Sequence, residues 1–287
     1  DILYPYAICG LLIFPFRNLS PNKMILIAMA FLLIGTYREN SDFFRDKKII
    51  QKGQAIAALD TAKVKLTEQQ KEDLGKFMGF KENNSKEATA KAAEEQVKRV
   101  KGKNYPALVK QLRDTNMWLQ SSYFYEHYWF DILMFFFLGM AFFKSGFLLG
   151  NKPTWLYAAI AITGIAVGLL MNYFFLRTQY RLKFDNYLFT QQWKLNYYHL
   201  RRVFQTVGYL SLLILMYKVT PIKKIFFSIF VPVGQMAFTN YLMQSFLCGL
   251  FFYGVGFGMF GQLERYEIYF VVLAVWIIQI TGSHLWL

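Results

Sequence analysis

The segment GQMAFTNYLMQS carries uncharged polar side chains inside one of the most apolar stretches of the chain. On a helix, Asn240 and Gln244 lie one turn apart on one face, while Thr239 and Ser245 lie beside it. Such groups could line a polar pocket inside the bundle, because polar clusters in a membrane usually face the interior or a water-filled cavity. On this interpretation Asn240 is a candidate catalytic residue and the other three are candidate substrate-binding residues. They could also form hydrogen bonds between membrane helices, worth about 0.6 kcal/mol each. The segment therefore predicts either a pocket wall or interhelical contacts.

A second polar group occurs in YEHYWFDILMFFF, where charged residues enter an apolar segment. His127 and Asp131 are one helical turn apart and are predicted to pair. The carboxylate would orient the imidazole as a general base, so both are candidate catalytic residues. The alternative is an anchor at the membrane surface, because Tyr125, Tyr128 and Trp129 crowd the same place.

Asp1 stands at the mouth of the first apolar segment, with Tyr4 one turn further along. Both are candidate substrate-binding residues, although a carboxylate at a helix N-terminus is also stabilised by the helix dipole alone. His199 and His284 lie singly near the ends of apolar segments, where snorkelling or capping is expected rather than ligation.

No short motif points to a soluble enzyme class. HExxH, GxSxG, Walker and CxxC patterns do not occur in the sequence. Cys9 and Cys248 both lie in apolar segments, which favours buried thiols over a disulfide. No metal site is predicted.

The elements that hold these residues are predicted from composition. The chain has 287 residues, of which 55% are hydrophobic and 19% aromatic, whereas soluble domains are about 45–50% apolar. The excess lies in segments about as long as a bilayer is thick, which predicts an all-α polytopic transmembrane bundle. About seven spans are predicted, at residues 2–16, 24–37, 128–149, 155–176, 203–219, 228–260 and 267–283. The sixth is either one long tilted helix or a helix followed by a Gly-rich re-entrant piece at GVGFGMFG.

Three regions follow from this pattern. Residues 1–37 hold two transmembrane helices, residues 38–124 form a polar helical insertion outside the membrane, and residues 125–287 form a five-span bundle. Helix starts in the insertion are predicted at Thr67, where Gln70 completes a capping box, and at Ser85 and Asn104.

The net charge of +14 comes from basic residues that flank spans or are mixed with acids, so no nucleic-acid partner is predicted. Three short loops carry Lys or Arg without any acid, and alternation of the spans places all three on one side, taken as cytoplasmic. These loops are RNLSPNK, KSGFLLGNKPT and KVTPIKK. Residues 38–124 and the loop 177–202 then lie on the opposite, periplasmic side. The basic character of that second loop argues for the reverse orientation.

Three stretches resemble, in order, the carboxy-terminal two-thirds of the YeiB-like family of bacterial inner-membrane proteins. They are DILYPYAICGLLIFPFRNLSPNK, FDILMFFFLGMAFFKSGFLLGN and the block from VGQMAFTNYLMQS to SHLWL. Family members usually have several further spans before the DIL segment and a basic, aromatic tail after LWL. Both ends of the present sequence are therefore expected to be cuts through a longer protein, and the protein is expected in the bacterial inner membrane.

The YeiB-like family is similar to transmembrane acyltransferases such as heparan-α-glucosaminide N-acetyltransferase. The resemblance implies transfer of an acyl group from cytoplasmic acyl-CoA, as donor substrate, to an envelope sugar or lipid. The implied contacts to the phosphates of coenzyme A come from lysines on the cytoplasmic side, which positive-inside topology explains equally well. These candidate residues are Lys144, Lys152, Lys223 and Lys224.

Two other functions fit the residues. A transporter of a small or lipid-like solute would use polar groups in a broken sixth span. A structural subunit of an oligomer or larger membrane complex would dock through residues 38–124. Whether the protein is an enzyme stays open at this stage, and the lipid bilayer is the one partner that the composition requires.

Overall fold

The computed structural model describes residues 3–59, 66–218 and 227–287. The regular structure of these residues is helical throughout, which confirms the predicted all-α class. Asp1, Lys223 and Lys224 lie outside the described residues. The chain divides into two compact units, residues 1–92 with 120–212 and residues 93–119 with 213–287.

The helices follow in chain order. They are α1 (Leu3–Ile13), a 3₁₀ turn (Phe14–Asn18), α2 (Pro21–Ala57), α3 (Glu68–Asn83), α4 (Lys86–Val100), α5 (Tyr105–Trp118), a π-helical segment (Leu119–Tyr128), α6 (Trp129–Lys144), α7 (Thr154–Arg181), α8 (Asn186–Gln192), α9 (Tyr198–Lys218), α10 (Ser228–Gln235), α11 (Ala237–Phe252) and α12 (Arg265–Trp286).

Three helical segments of the described chain are long and apolar enough to cross a membrane, namely Tyr105–Lys144, Thr154–Arg181 and Arg265–Trp286. Only 17–33% of their most apolar windows is buried inside the protein. Apolar helices that leave most of their surface outside suit a lipid environment, so this is a membrane protein. The count of seven spans stays a prediction.

The predicted sixth span is broken. Helix α10 ends at Gln235, Met236 leaves helical geometry with φ −99° and ψ 26°, and α11 ends at Phe252. Pro232 lies four residues before the break, where its missing N–H weakens the helix. GVGFGMFG then forms turns, in which Gly258 and Gly261 take positive φ. Of the two predicted alternatives, the structure therefore matches the second, in which a helix is followed by a Gly-rich piece.

The core of the first unit lies where α2 packs against α6. Each helix contributes three buried apolar side chains whose spacing of three or four residues places them on one face. They are Met24, Ala28 and Leu32 on α2, and Met134, Phe137 and Ala141 on α6. Helix α1 also packs on α6, so α6 lies against both predicted amino-terminal spans.

Glycines set the distance between α7 and α9. A Cβ on Gly164 would lie 2.7 Å from the Phe204 carbonyl oxygen, and one on Gly208 would lie 2.7 Å from the Ile165 nitrogen. Side chains cannot be accommodated at such distances, so the two backbones cross in direct contact. Small residues at helix crossings are typical of membrane bundles.

Helix α2 continues through the predicted boundary at residue 37, so the polar region begins inside a helix. The Phe77 side chain of α3 lies against Gly53 of α2, where there is no room for a Cβ. The Tyr187 N–H donates to the Asn84 carbonyl, and Gln54 donates to the Tyr187 hydroxyl. Residues of 38–84 and of the loop 177–202 therefore contact each other, as their predicted placement on one side of the membrane requires.

The predicted helix starts in the polar region are confirmed. Thr67 and Gln70 form both bonds of the capping box. The Ser85 hydroxyl accepts from the Ala88 N–H, and the Asn104 side chain accepts from the Ala107 N–H.

Candidate functional site

Four charged or ionisable side chains meet where α2, α6 and α9 come together in the first unit. The Nδ1 atom of His199 lies 3.3 Å from Oδ1 of Asp131. On the opposite edge of the imidazole, Nε2 lies 3.7 Å from Oε2 of Glu39. The second oxygen of Asp131 accepts a hydrogen bond of 2.7 Å from Nη1 of Arg202. The result is an imidazole between two carboxylates, with a guanidinium on one of them.

The cluster is largely shielded from solvent. Only 5% of the Asp131 side chain and 13% of the His199 side chain are exposed. Glu39 retains 22% exposure and Arg202 34%, so one edge of the cluster stays open. A buried carboxylate is tolerated when it is paired and hydrogen-bonded, and Asp131 has two such partners.

Local structure places each of these groups. Asp131 lies in the first turn of α6, while His199 and Arg202 are three residues apart at the start of α9 and so share a face. Glu39 is one turn beyond Gly35 on α2. A Cβ on Gly35 would lie 3.4 Å from Nε2 of His199, so the imidazole packs directly against this turn of α2.

A backbone clamp fixes the start of α9. The Asn40 side chain donates from Nδ2 to the Asn196 carbonyl at 2.8 Å, and its Oδ1 accepts from the Asn196 N–H at 2.9 Å. Asn40 also donates to the Thr36 carbonyl of its own helix. Because Asn196 lies three residues before His199, this amide holds the imidazole at a fixed distance from α2.

Glu39 leaves one hydrogen-bonding position open. Its Oε2 atom is buried but has no hydrogen-bond partner within the described part of the chain. At 3.7 Å the contact with Nε2 of His199 is too long for a hydrogen bond. A hydroxyl or amine that entered here could donate to either atom.

The predicted pair of His127 and Asp131 is wrong. Asp131 contacts His199 and Arg202, whereas Nε2 of His127 lies 3.7 Å from the exposed carboxylate of Glu126. Asp131 is instead buried against α9, where an imidazole and a guanidinium are within reach, whereas the His127 side chain is exposed in the π-helical segment.

His199 is likewise not the lone residue that its position near a span end predicted. It packs between helices and contacts two carboxylates. His284 does act near a helix end, because its Nε2 lies 3.1 Å from the Ile229 carbonyl oxygen within the second unit. The hydroxyl of Tyr4, on α1, lies 3.2 Å from the Tyr125 hydroxyl.

In the second unit, Asn240 forms interhelical contacts. Its Nδ2 donates to the Ser283 hydroxyl of α12 at 2.9 Å and to the Val233 carbonyl at 3.1 Å. Gln279 donates to the Asn240 carbonyl. Val233 loses its helical partner at the Met236 break, so Asn240 satisfies a carbonyl that the break exposes. This geometry matches the alternative of interhelical hydrogen bonds.

The other polar residues of that segment are distributed around α11. Gln244 lines a cavity of about 50 Å³ between α11 and α12, which is otherwise apolar apart from Cys248. Ser245 donates to the Tyr241 carbonyl of its own helix, and Thr239 is exposed. The space is large enough for a water molecule or a small group, and smaller than typical ligand pockets.

The candidate lysines of the basic loops have structural contacts. Nζ of Lys144 donates to the carbonyls of Arg17 and Leu19, at 2.8 and 2.7 Å. These bonds join two of the predicted cytoplasmic loops, as their placement on one side requires. The backbone N–H of Lys152 donates to the Tyr157 hydroxyl. Within the described ranges, no group of three His, Cys, Asp or Glu side chains has the geometry to hold a metal ion.

The fold and site together define an all-helical membrane protein with a shielded charged cluster. Residues 142–287, half of the chain, match the family model described as "Protein of unknown function (DUF418)". The chain therefore belongs to the DUF418 family, which confirms the resemblance to YeiB-like proteins.

Two curated relatives are similar over part of the chain. The uncharacterized protein YxaH of Bacillus subtilis is 39% identical over 79 residues, which cover 28% of this chain and 19% of the relative. The uncharacterized protein YeiB of Escherichia coli is 29% identical over 154 residues, 52% of this chain and 38% of the relative. The matched segments thus span less than half the length of either relative. No solved structure matches the chain.

Proposed function

We propose that the protein takes part in acyl transfer at a membrane, with His199 as the general base. The observation that carries this proposal is the position of the imidazole between Asp131 and Glu39. A carboxylate at Nδ1 fixes the tautomer with the proton on that nitrogen, which leaves Nε2 free to accept a proton. This role was assigned to His127 by the sequence and passes to His199 on geometric grounds.

The step proceeds as follows. The proton of an acceptor hydroxyl or amine moves to Nε2 of His199, and the acceptor atom attacks the carbonyl carbon of a thioester such as acyl-CoA. The carbon–sulfur bond then breaks, and the thiolate leaves and takes up the proton. The imidazolium formed between these events lies between two carboxylates, which stabilise its charge.

Arg202 acts here as a positioning residue. Its guanidinium holds Oδ2 of Asp131, so that Oδ1 stays directed at the imidazole. We expect the acceptor to be an envelope sugar or lipid. The donor is expected on the cytoplasmic side, as the resemblance to transmembrane acyltransferases implies, so its thioester would have to reach His199 through the bundle.

The test uses the full chain in lipid nanodiscs and measures free thiol released from acyl-CoA in the presence of bacterial envelope lipid extract. We expect His199→Gln to reduce release at least a hundredfold, the usual contribution of a general base. His127→Gln is the matched control, with release unchanged. Equal release from the His199→Gln and parent proteins would refute the proposal.

A second function is favoured by the unpartnered oxygen of Glu39. A carboxylate, an imidazole and a second carboxylate in one row could pass a proton through the bundle, as such chains do in transporters. In that case His199→Gln would abolish proton-coupled uptake into proteoliposomes, and acyl-CoA would release no thiol with any variant. The two functions therefore give opposite results in the thiol assay.

A further inference from the structure

The face of α2 that points away from the core changes character along its length. Residues 26, 33, 37, 44 and 48 fall within about 60° of one another at 3.6 residues per turn. Leu26, Leu33 and Tyr37 on this face are 66–75% exposed, and Phe44 is 42% exposed. This face of α2 is therefore apolar and exposed at its amino-terminal end and becomes basic at Lys48.

Two open surface depressions lie along the polar end of this face. A depression of about 490 Å³ is lined by Tyr37, Asn40, Ser41, Phe44, Arg45 and Lys48. A second, of about 410 Å³, shares Arg45 and Lys48 and extends to Lys52 and Lys76. We call these two adjoining depressions the α2 groove. Aromatic side chains line its near end, and four cations line the remainder together with Ile49 and Asp73.

Most of the cations are already paired. Arg45 contacts Asp42 at 2.9 Å, and Lys52 contacts Asp73 at 3.7 Å. The Lys76 ammonium donates a hydrogen bond of 2.6 Å to the Glu72 carboxylate, and this bond raises the pKa of Lys76. Lys48, in the middle of the groove, has no carboxylate within ion-pair distance among residues 3–59, 66–218 and 227–287. Among the described residues, Lys48 is therefore the cation of the groove that is most available to an external anion.

We propose that the α2 groove binds the headgroup of an anionic phospholipid, whose acyl chain lies along Leu26 and Leu33. The groove begins where the apolar part of α2 ends, and its aromatic end suits the boundary between hydrocarbon and headgroups. Lysine and arginine next to a membrane segment attract anionic lipid, each contributing about 1 kcal/mol, or fivefold in affinity. This inference rests on α2 and α3 alone and is independent of the acyl transfer proposed above.

The test titrates the full chain in neutral detergent micelles with glycerol phosphate and with phosphatidylglycerol and phosphatidylcholine that carry full-length acyl chains, and measures each dissociation constant. We expect phosphatidylglycerol to bind most tightly. Lys48→Gln should weaken it about fivefold, and Leu33→Ala should weaken the lipid but leave glycerol phosphate unaffected. Lys48→Arg retains the charge and should bind as the parent does, which separates loss of charge from misfolding.

The control is Lys91→Gln, which removes one exposed positive charge from α4, outside the groove. It should leave the affinity for phosphatidylglycerol unchanged. Equal losses from Lys91→Gln and Lys48→Gln would mean that only net charge matters, which would refute a groove. Equal affinity for glycerol phosphate and phosphatidylglycerol would refute the lipid and identify a site for free phosphate.

Discussion

At the scale of residues, the pairing of Asp131 decides whether the charged cluster persists. Asp131→Asn keeps the shape of the side chain but leaves the Arg202 guanidinium without its carboxylate. Hydrogen bonds to charged groups contribute about 1.5–3 kcal/mol, so we expect the free energy of unfolding to fall by about 2 kcal/mol. Chemical denaturation in mixed micelles measures this. The control, Glu126→Gln, changes a largely exposed carboxylate and should stay within about 0.5 kcal/mol of the parent.

The Asn40 side chain is expected to stabilise the start of α9 through its two hydrogen bonds to Asn196. Asn40→Ala removes both hydrogen bonds to Asn196 and leaves a backbone N–H and carbonyl without their partner. We expect a loss of about 2 kcal/mol in the free energy of unfolding, at about 1 kcal/mol per bond. Ser41→Ala, at the exposed neighbouring position, should have no measurable effect. If the two variants are equally stable, Asn40 does not hold the start of α9.

The sequence contained the correct residue types for the cluster but not their pairing. Asp131 was predicted from its position at the start of an apolar segment, and this position is confirmed. Its partner His199 lies 68 residues away, and pattern reasoning links residues only within a few helical turns. One sequence signal could have indicated this pairing. The motif HLRR places an imidazole and two guanidinium groups at the start of α9, and two carboxylates lie at the ends of other apolar segments, Glu39 after one and Asp131 at the start of another.

At the scale of helices, the starts of α3, α4 and α5 were predictable because a cap depends on three or four adjacent residues. The end of α2 was not, because its polar half is held by α3 and α8 rather than by its own sequence pattern. The π-helical segment before α6 was missed for a related reason. An extra residue per turn leaves the sequence pattern unchanged and alters only which residues face the core.

The close crossing of α7 and α9 is expected to depend on Gly164. Gly164→Ala would place a Cβ 2.7 Å from the Phe204 carbonyl and 2.9 Å from the Gly208 Cα. Because both neighbours are backbone atoms, the helices must separate, and we expect a cost of about 1–3 kcal/mol in the free energy of unfolding. Gly139→Ala on α6 has open space around it and should be neutral or slightly stabilising. Equal unfolding free energies for the two variants would contradict a close crossing.

At the scale of the whole molecule, sidedness links the sequence pattern to the structure. Alternation of the spans placed residues 38–124 and 177–202 together, and the contacts of Tyr187 and Asn196 with α2 and α3 agree with that placement. It also placed the loops around Lys23 and Lys144 together, and Lys144 contacts the backbone of Arg17 and Leu19. The number of spans and the side of the membrane on which each loop lies stay predictions.

The last prediction tests whether α2 crosses the membrane between these two sets of loops. Single cysteines at the exposed positions Lys23, Gln69 and Lys194 would be introduced on a Cys248→Ala background, in which Cys9 is buried. A membrane-impermeant maleimide added to intact cells and to inverted vesicles measures the side on which each cysteine lies. We expect Gln69→Cys and Lys194→Cys to be labelled from one side and Lys23→Cys from the other. Labelling of all three from one side would mean that α2 lies outside the bilayer, and the acyl chain proposed along its apolar half would then have no hydrocarbon to enter.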